Sequence, residues 1–223
     1  MSLARLARGV IRPRWVRILL VIVLMGALIA SVPGIRGPIL RSAGWALVAS
    51  DPVQPADIIV VTLDAGSAGV LEAADLVHAG IAPRVAVFAD RLDSVDREFI
   101  RRGIPPEDSA ALLVRQLRAL GVTAIERIPT GVEGTESEGE VLPGWCDQHQ
   151  FRAIVIVSSP DHSRRLRRVL HRSMKNHRTG VMVRPALHST FDPERWWETR
   201  GGVRTGLIEL QKLLLDVIRH PLS

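Results

Sequence analysis

The chain has 223 residues, 47% of them hydrophobic and 23% charged, which suits one globular domain with an appendage and leaves ample material for a core. Its formal net charge of +6 sits at the front, where seven of the 29 basic residues precede the first acidic one, Asp51. The remaining 22 basic and 23 acidic groups nearly cancel, so the body lacks the basic footprint of a nucleic-acid-binding protein.

Residues 1–17 form a basic N-terminus containing Arg5, Arg8, Arg12, Arg14 and Arg17, and residues 18–35 carry no charge at all. Eighteen residues at about 1.5 Å each span roughly 27 Å, close to the thickness of a bilayer core, so the segment is expected to be a transmembrane anchor. Five arginines before it and only Arg36 and Arg41 shortly after it place the N-terminus in the cytoplasm and the main domain outside. A cleaved signal peptide is the rival reading, but Leu28 or Ile29 stands where a small residue should precede the cleavage point. A buried core helix is a third. Residues 36–55 read as a connector with one apolar turn, Trp45 to Val48, and residues 56–223 as the α/β domain.

Asp57 to Leu63 is a β-branched run expected to form a central buried parallel strand, followed by a helix from Ser67 to Ala79 that Gly80 closes. Strand two is expected over Arg84 to Phe88, helices over Asp93 to Arg102 and Pro105 to Leu120, and strand three over Val122 to Ile128. A polar loop from Thr130 to Glu138 leads into a helix ending near Trp145, and the Thr135 and Glu138 spacing fits a capping box. Arg152 to Val157 is the fourth strand, Asp161 to Met174 its helix, Gly180 to Val183 the fifth strand, and Thr205 to Ile218 a closing amphipathic helix. Strands alternating with helices at these lengths imply right-handed crossovers, hence an α/β, Rossmann-like parallel sheet of about five strands with helices on both faces.

Ligands in such sheets bind above the carboxyl ends of the strands. The residues landing there are Asp64 and Gly66 after strand one, Asp90 and Arg91 after strand two, Thr135 and Glu138 after strand three, and Ser158, Ser159, His162 and Arg165 after strand four. Ser159 is a natural N-cap and Pro160 a natural first helical residue, so the helix they open aims free N–H groups and its positive end at that edge. His162 and Arg165, three apart, can face one spot, and the planar fork of an arginine suits phosphate. The same residues also describe an ordinary capped helix with a solvated basic face. Asp161 works against an anion unless it turns outward or meets a metal ion. Leu63 to Gly69 offers only Gly66 and Gly69, so GxGxxG is absent, as are GxxxxGK[ST], GxSxG, CxxC and HExxH; a dinucleotide, P-loop, esterase or structural zinc reading has no support, and the sole cysteine, Cys146, cannot form an internal disulfide.

The pattern resembles the SanA/YdcF/ElyC-like family of bacterial envelope proteins. The resemblance rests on the N-terminal apolar segment, Leu47-Val48 through Asp51, Ala56 to Val61, Gly80-Ile-Ala-Pro83, Thr135-x-x-Glu138, Val157-Ser-Ser-x-x-His162-x-x-Arg165 and Glu209-x-x-Lys212 after Trp196. It implies a single-pass protein of the inner membrane whose extracytoplasmic domain serves cell-wall biogenesis or barrier function. A phosphorylated lipid-carrier or cell-wall intermediate is the expected ligand, held by Asp64, Gly66, Asp90, Thr135, Ser158, Ser159 and Arg165, with His162 and Glu138 as candidate acid and base for hydrolysis. A non-enzymatic tethered interaction module is the first alternative. A nucleotide- or S-adenosylmethionine-binding enzyme is the second, since S-adenosylmethionine binding has been proposed for a relative, although no cofactor is assigned here. The family often carries Gly-Gly after strand one and Ser-Gly after strand two, where this chain has Asp64-Ala-Gly66 and Ala89-Asp90.

Overall fold

The computed structural model describes residues 16–18, 20, 21, 24, 26, 32–105 and 108–221. Most of the basic N-terminus and half of the expected anchor over 18–35 therefore lie outside the described residues. Among the described residues no helix is long and apolar enough to cross a membrane.

Helix α1 (Pro33–Trp45) runs from the end of the expected anchor into the stretch where the sequence reading has only a connector. Pro33 stands at the start of this helix, where a missing N–H does no harm. Five parallel strands follow, β1 (Ile58–Val61), β2 (Val85–Val87), β3 (Ile125–Arg127), β4 (Ala153–Ser158) and β5 (Gly180–Pro185), in the spatial order β3-β2-β1-β4-β5. The crossovers are α2 (Gly66–His78), α3 (Ser94–Arg101) with α4 (Ser109–Ala119), α5 (Thr135–His149) and α6 (Pro160–Ser173), and α7 (Arg200–Arg219) closes the chain. This is a Rossmann-like α/β fold. Chain order reverses between β1 and β4, so the switch point falls where Asp64 and Ser158 leave the sheet.

The period-two alternation of the strands divides the core cleanly. Ile59, Val61, Val85, Val87, Val155 and Val157 face α2 and α4 through Val70, Ala73, Leu113 and Leu117. Ile58, Val60, Phe88, Ile154 and Ile156 face α5 and α6 through Leu142, Trp145, Leu166 and Leu170. All of β1 and, beyond Ala153, all of β4 are buried, which is why those strands read as unbroken β-branched runs.

A smaller cluster lies apart, where Leu40 and Ala43 of α1 and Leu210 and Leu213 of α7 pack around Leu47, Phe191 and Trp196. Trp196 Nε1 donates to the Leu40 carbonyl at 2.7 Å. A side chain at Gly206 would put its Cβ 2.5 Å from the Trp196 ring, so glycine is what lets α7 approach. The stretch after α1 is bound rather than loose. Ser163 Oγ accepts from Ala49 N–H at 2.8 Å, Arg164 N–H donates to the Leu47 carbonyl at 3.0 Å, and Asp51 pairs with Val183 on the outer edge of β5 through both backbone and carboxylate.

Candidate functional site

The site is built where β1 and β4 end. After β1 a single 3-10 turn, Leu63–Ala65, carries Asp64, and Gly66 takes φ +48 and ψ −142 to turn the chain into α2. A Cβ would be strained there whatever the space around it, so Gly66 serves the turn and does not line the cleft. Asp64 reaches across to the first turn of α6, where its Oδ2 accepts from Ser159 N–H at 2.9 Å, Ser159 Oγ at 2.7 Å and Ser158 Oγ at 3.1 Å. Ser159 is the N-cap residue, but its hydroxyl donates to Asp64 and makes no cap of its own. A carboxylate of the protein thus occupies the positive end of α6, the place the sequence reading assigns to a ligand's anion.

His162 and Arg165 do converge, and what they converge on is Glu209 of α7. His162 Nδ1 lies 3.2 Å from Glu209 Oε2, Arg165 Nε 3.4 Å from the same oxygen, and Lys212 Nζ 2.7 Å from Oε1. Arg165 Nη2 is 3.1 and 3.2 Å from the two imidazole nitrogens, so the guanidinium lies against the ring. The other ring nitrogen, Nε2, is hydrogen-bonded to Thr135 Oγ1 and lies 4.0 Å from Asp64 Oδ1. Both nitrogens of His162 are therefore engaged by side chains.

Thr135 and Glu138 do not form the capping box their spacing suggests. The N-cap of α5 is Gly134, at φ +78, with no side-chain cap, and both side chains turn into the site instead. Thr135 is 3% exposed and Glu138 1%. Leu63 N–H donates to Glu138 Oε1 at 3.0 Å, while Oε2 has no hydrogen-bond partner.

The charges follow from this packing. Burial, reinforced by Asp64 nearby, pushes the Glu138 carboxyl up to about 7. Burial alone would depress His162, but the hydrogen bond to Glu209 and the charge of Asp64 outweigh it and leave its pKa above the ordinary value. Burial likewise opposes the charge on Glu209, yet the hydrogen bonds from His162 and Lys212 and the field of Arg165 hold it down near 2. Asp161 is raised, chiefly by burial. The site thus favours the charged form of His162 against the Glu209 carboxylate, with the Glu138 carboxyl beside them near half-protonation at neutral pH.

Above this cluster opens a cleft of about 440 Å³. Asp64, Ser159, Asp161 and His162 line one wall, and Thr199, Gly201, Gly202, Thr205, Glu209 and Lys212 line the other. The second wall is the start of α7. Thr199 caps that helix by accepting from Gly202 N–H at 3.0 Å, and no acidic residue stands in its first turn. Two helix N-termini thus face one hollow; that of α6 meets the carboxylates of Asp64 and Asp161, whereas the first turn of α7 carries none.

Of the residues singled out by sequence, Asp64, Thr135, Glu138, Ser158, Ser159, His162 and Arg165 are brought together. Asp90 is not. It accepts from Ser109 Oγ and borders a different hollow with Asp96, Asp108 and Arg127. Arg165 points toward a neighbouring depression that also involves Lys212, Asp216 and Arg219. The partners that sequence reasoning passes over as site residues are Glu209 and Lys212. Their signal was an acidic residue on the inward stripe of an amphipathic helix, repeated seven residues later by Asp216, opposite the Arg165, Arg168, Arg172 stripe of α6. Among the described residues no group of three or more His, Cys, Asp or Glu side chains is arranged to hold a metal ion.

No family model matches the chain, and no curated protein matches it in sequence. Among solved structures a mycobacterial quinone oxidoreductase is similar at 15% identity with a TM-score of 0.30, over 80% of this chain and 50% of that one. The chain thus spans about half the length of that protein, and a likeness so distant bears on neither site nor activity.

Proposed function

We propose that this chain is a SanA/YdcF/ElyC-like envelope protein, anchored in the inner membrane through residues 18–35 with its domain outside, whose cleft binds a phosphorylated cell-wall or lipid-carrier intermediate. The observation that carries the reading is the N-terminus of α7, with no acidic residue in its first turn, at the wall of a polar cleft. A phosphate seated at Gly201 and Gly202, with the Thr205 hydroxyl beside it, takes the positive end of a 20-residue helix. Asp64, Asp161 and Ser159 on the facing wall supply acceptors for the hydroxyls of an attached sugar.

Recognition is favoured over turnover by the state of His162. The nitrogens of His162 are hydrogen-bonded to Thr135 and Glu209, so a substrate in the cleft would have to displace one of these partners to exchange a proton with the ring. Thr135 and Glu138 are buried beneath the cleft and do not line it. His162 is then the keystone that fixes α6 against Glu209 of α7, and the cleft's shape depends on it.

The test is Gly201→Asp in the full chain. Position 201 is exposed and a Cβ there meets nothing within 4 Å, so the fold tolerates the change, and a carboxylate in the first turn favours the helix. Affinity for undecaprenyl phosphate or a glycosyl phosphate, measured by titration calorimetry in detergent micelles, should fall by about tenfold or more because the new carboxylate repels the ligand. Equal affinity in the variant, or no binding of any such phosphate by the parent chain, refutes the reading.

A further inference from the structure

The closing helix α7 keeps its acids inside and its aliphatics outside. Glu209 and Asp216, each 6% exposed, face α6, whereas Leu207, Leu214 and Ile218 are 57%, 60% and 66% exposed. At about 100° per residue those three fall within an arc of roughly 40°. Ile208 and Leu215 stand beside them, and the exposed Arg200 and Arg204 continue the same face, flanked by Lys212 and Arg219. No acidic side chain of α7 reaches that face. A helix closing a soluble domain shows the opposite polarity, while apolar and cationic residues together are what an interfacial helix presents to lipid.

A second observation bears on the occupant. Helix α1 packs on the same Trp196 as α7, leaves Ile35 and Ile39 half exposed with Arg36 between them, and follows directly on the uncharged run of residues 18–32. We propose that the outward face of α7 lies on an anionic phospholipid bilayer, its leucines among the upper acyl chains and its arginines at the headgroup phosphates. This rests on the reading of residues 18–35 as an anchor, and it deepens that reading. Gly201 and Thr205 lie on the strip of α7 next to this face, so the cleft opens at the level of the headgroups. A phosphate carried on a lipid then reaches the start of α7 without leaving the membrane.

Full-length chain carrying Leu214→Cys, labelled with an environment-sensitive fluorophore, is reconstituted into phosphatidylcholine vesicles with and without phosphatidylglycerol, some of them brominated on the acyl chains. The native Cys146 is fully buried and stays unlabelled. The reference is Leu112→Cys, an exposed position on α4 of the opposite layer. Bromolipid quenching should be several-fold greater at 214 than at 112, should require the anionic lipid, and should fall to the reference level when Arg200 and Arg204 are changed to Glu. Equal quenching at the two positions overturns the proposal, as does energy transfer between labels at 214, which would put a second copy on this face. Resistance of the chain to alkaline extraction is scored separately: loss of the chain from the vesicles sinks the anchor reading, whereas a retained chain with an unquenched position 214 sinks only the docking of α7.

Discussion

At the scale of single residues, Glu138 is a carboxyl almost wholly withdrawn from water. Its carboxyl is nearly inaccessible, one oxygen is unpaired, and burial lifts its pKa from 4.5 to about 7. The folded state therefore binds a proton between those values that the unfolded chain has released, so this group's contribution to stability is full below pH 4.5 and is lost as the pH rises through 7. The shift corresponds to about 3 kcal/mol. Glu138→Gln keeps the acceptor for Leu63 N–H and removes the ionisation, so its melting temperature should exceed the parent's by several degrees at pH 8 and match it near pH 5. A constant difference across that range, read by differential scanning calorimetry, would show that burial does not govern this carboxyl. The residue itself was legible in the sequence, as was Thr135, because both follow strand three at the edge where ligands gather. Their roles were not. Spacing alone cannot tell a side chain that turns back to cap its own helix from one that turns inward, and the choice is made by α6 and α7, which are distant in sequence.

At the scale of elements, α6 and α7 are joined by charge more than by apolar contact. Arg168 Nε lies 2.5 Å from Asp216 and Arg172 Nη2 lies 2.8 Å from it, two turns of α7 beyond Glu209. Burial opposes the Asp216 charge, but the two guanidinium hydrogen bonds prevail and hold its carboxyl below the ordinary range. A depressed carboxylate stabilises the fold above its unfolded pKa and ceases to do so as the pH falls through the folded value. Asp216→Asn removes the buried carboxylate that Arg168 and Arg172 share, a change worth about 2 kcal/mol at neutral pH. The expected result is a lower melting temperature at pH 7 and a smaller deficit at pH 3; equal deficits at both would show that the loss is one of shape. The existence of α7 was plain from its periodicity, but its start was placed five residues late. Arg200, Gly201 and Gly202 are poor internal signals, and glycine at 202 is explained only by the Trp196 carbonyl 2.2 Å from where a Cβ would stand. Helix α1 is not legible in the sequence, since three glycines and Pro38 mask it, and what holds it is Trp196, some 150 positions away.

At the scale of the whole molecule, the sheet was the most legible part, because burial on both faces leaves its mark as unbroken β-branched runs that no helix or loop would need. The layer made by α1, Trp196 and α7 was the least legible, and the two cores show why: neither contains a residue of α1 or α7, which meet only in their own small cluster and are tied to the sheet domain through α6 and polar contacts. A layer with few buried apolar contacts and many polar ones should open at lower free energy than the sheet. Cys146 provides the internal standard. It is fully buried in α5 against the second core, and burial pushes its thiol up to about 12, so it reacts with alkylating reagents only when that core opens. In rising urea the amides of α7 should exchange before Cys146 is alkylated, and Asp216→Asn should widen the interval by advancing exchange in α7 while leaving alkylation where it was. The cleft spans the seam between these two layers, with Asp64, Ser159 and His162 on the sheet side and Gly201, Thr205 and Lys212 on the other. A ligand bound across it should therefore delay exchange in α7 toward the alkylation midpoint, because it binds only the docked arrangement. Coincident exchange and alkylation in the unliganded chain would instead make α7 an integral part of one cooperative unit, and the seam would lose its claim to be where binding and opening meet.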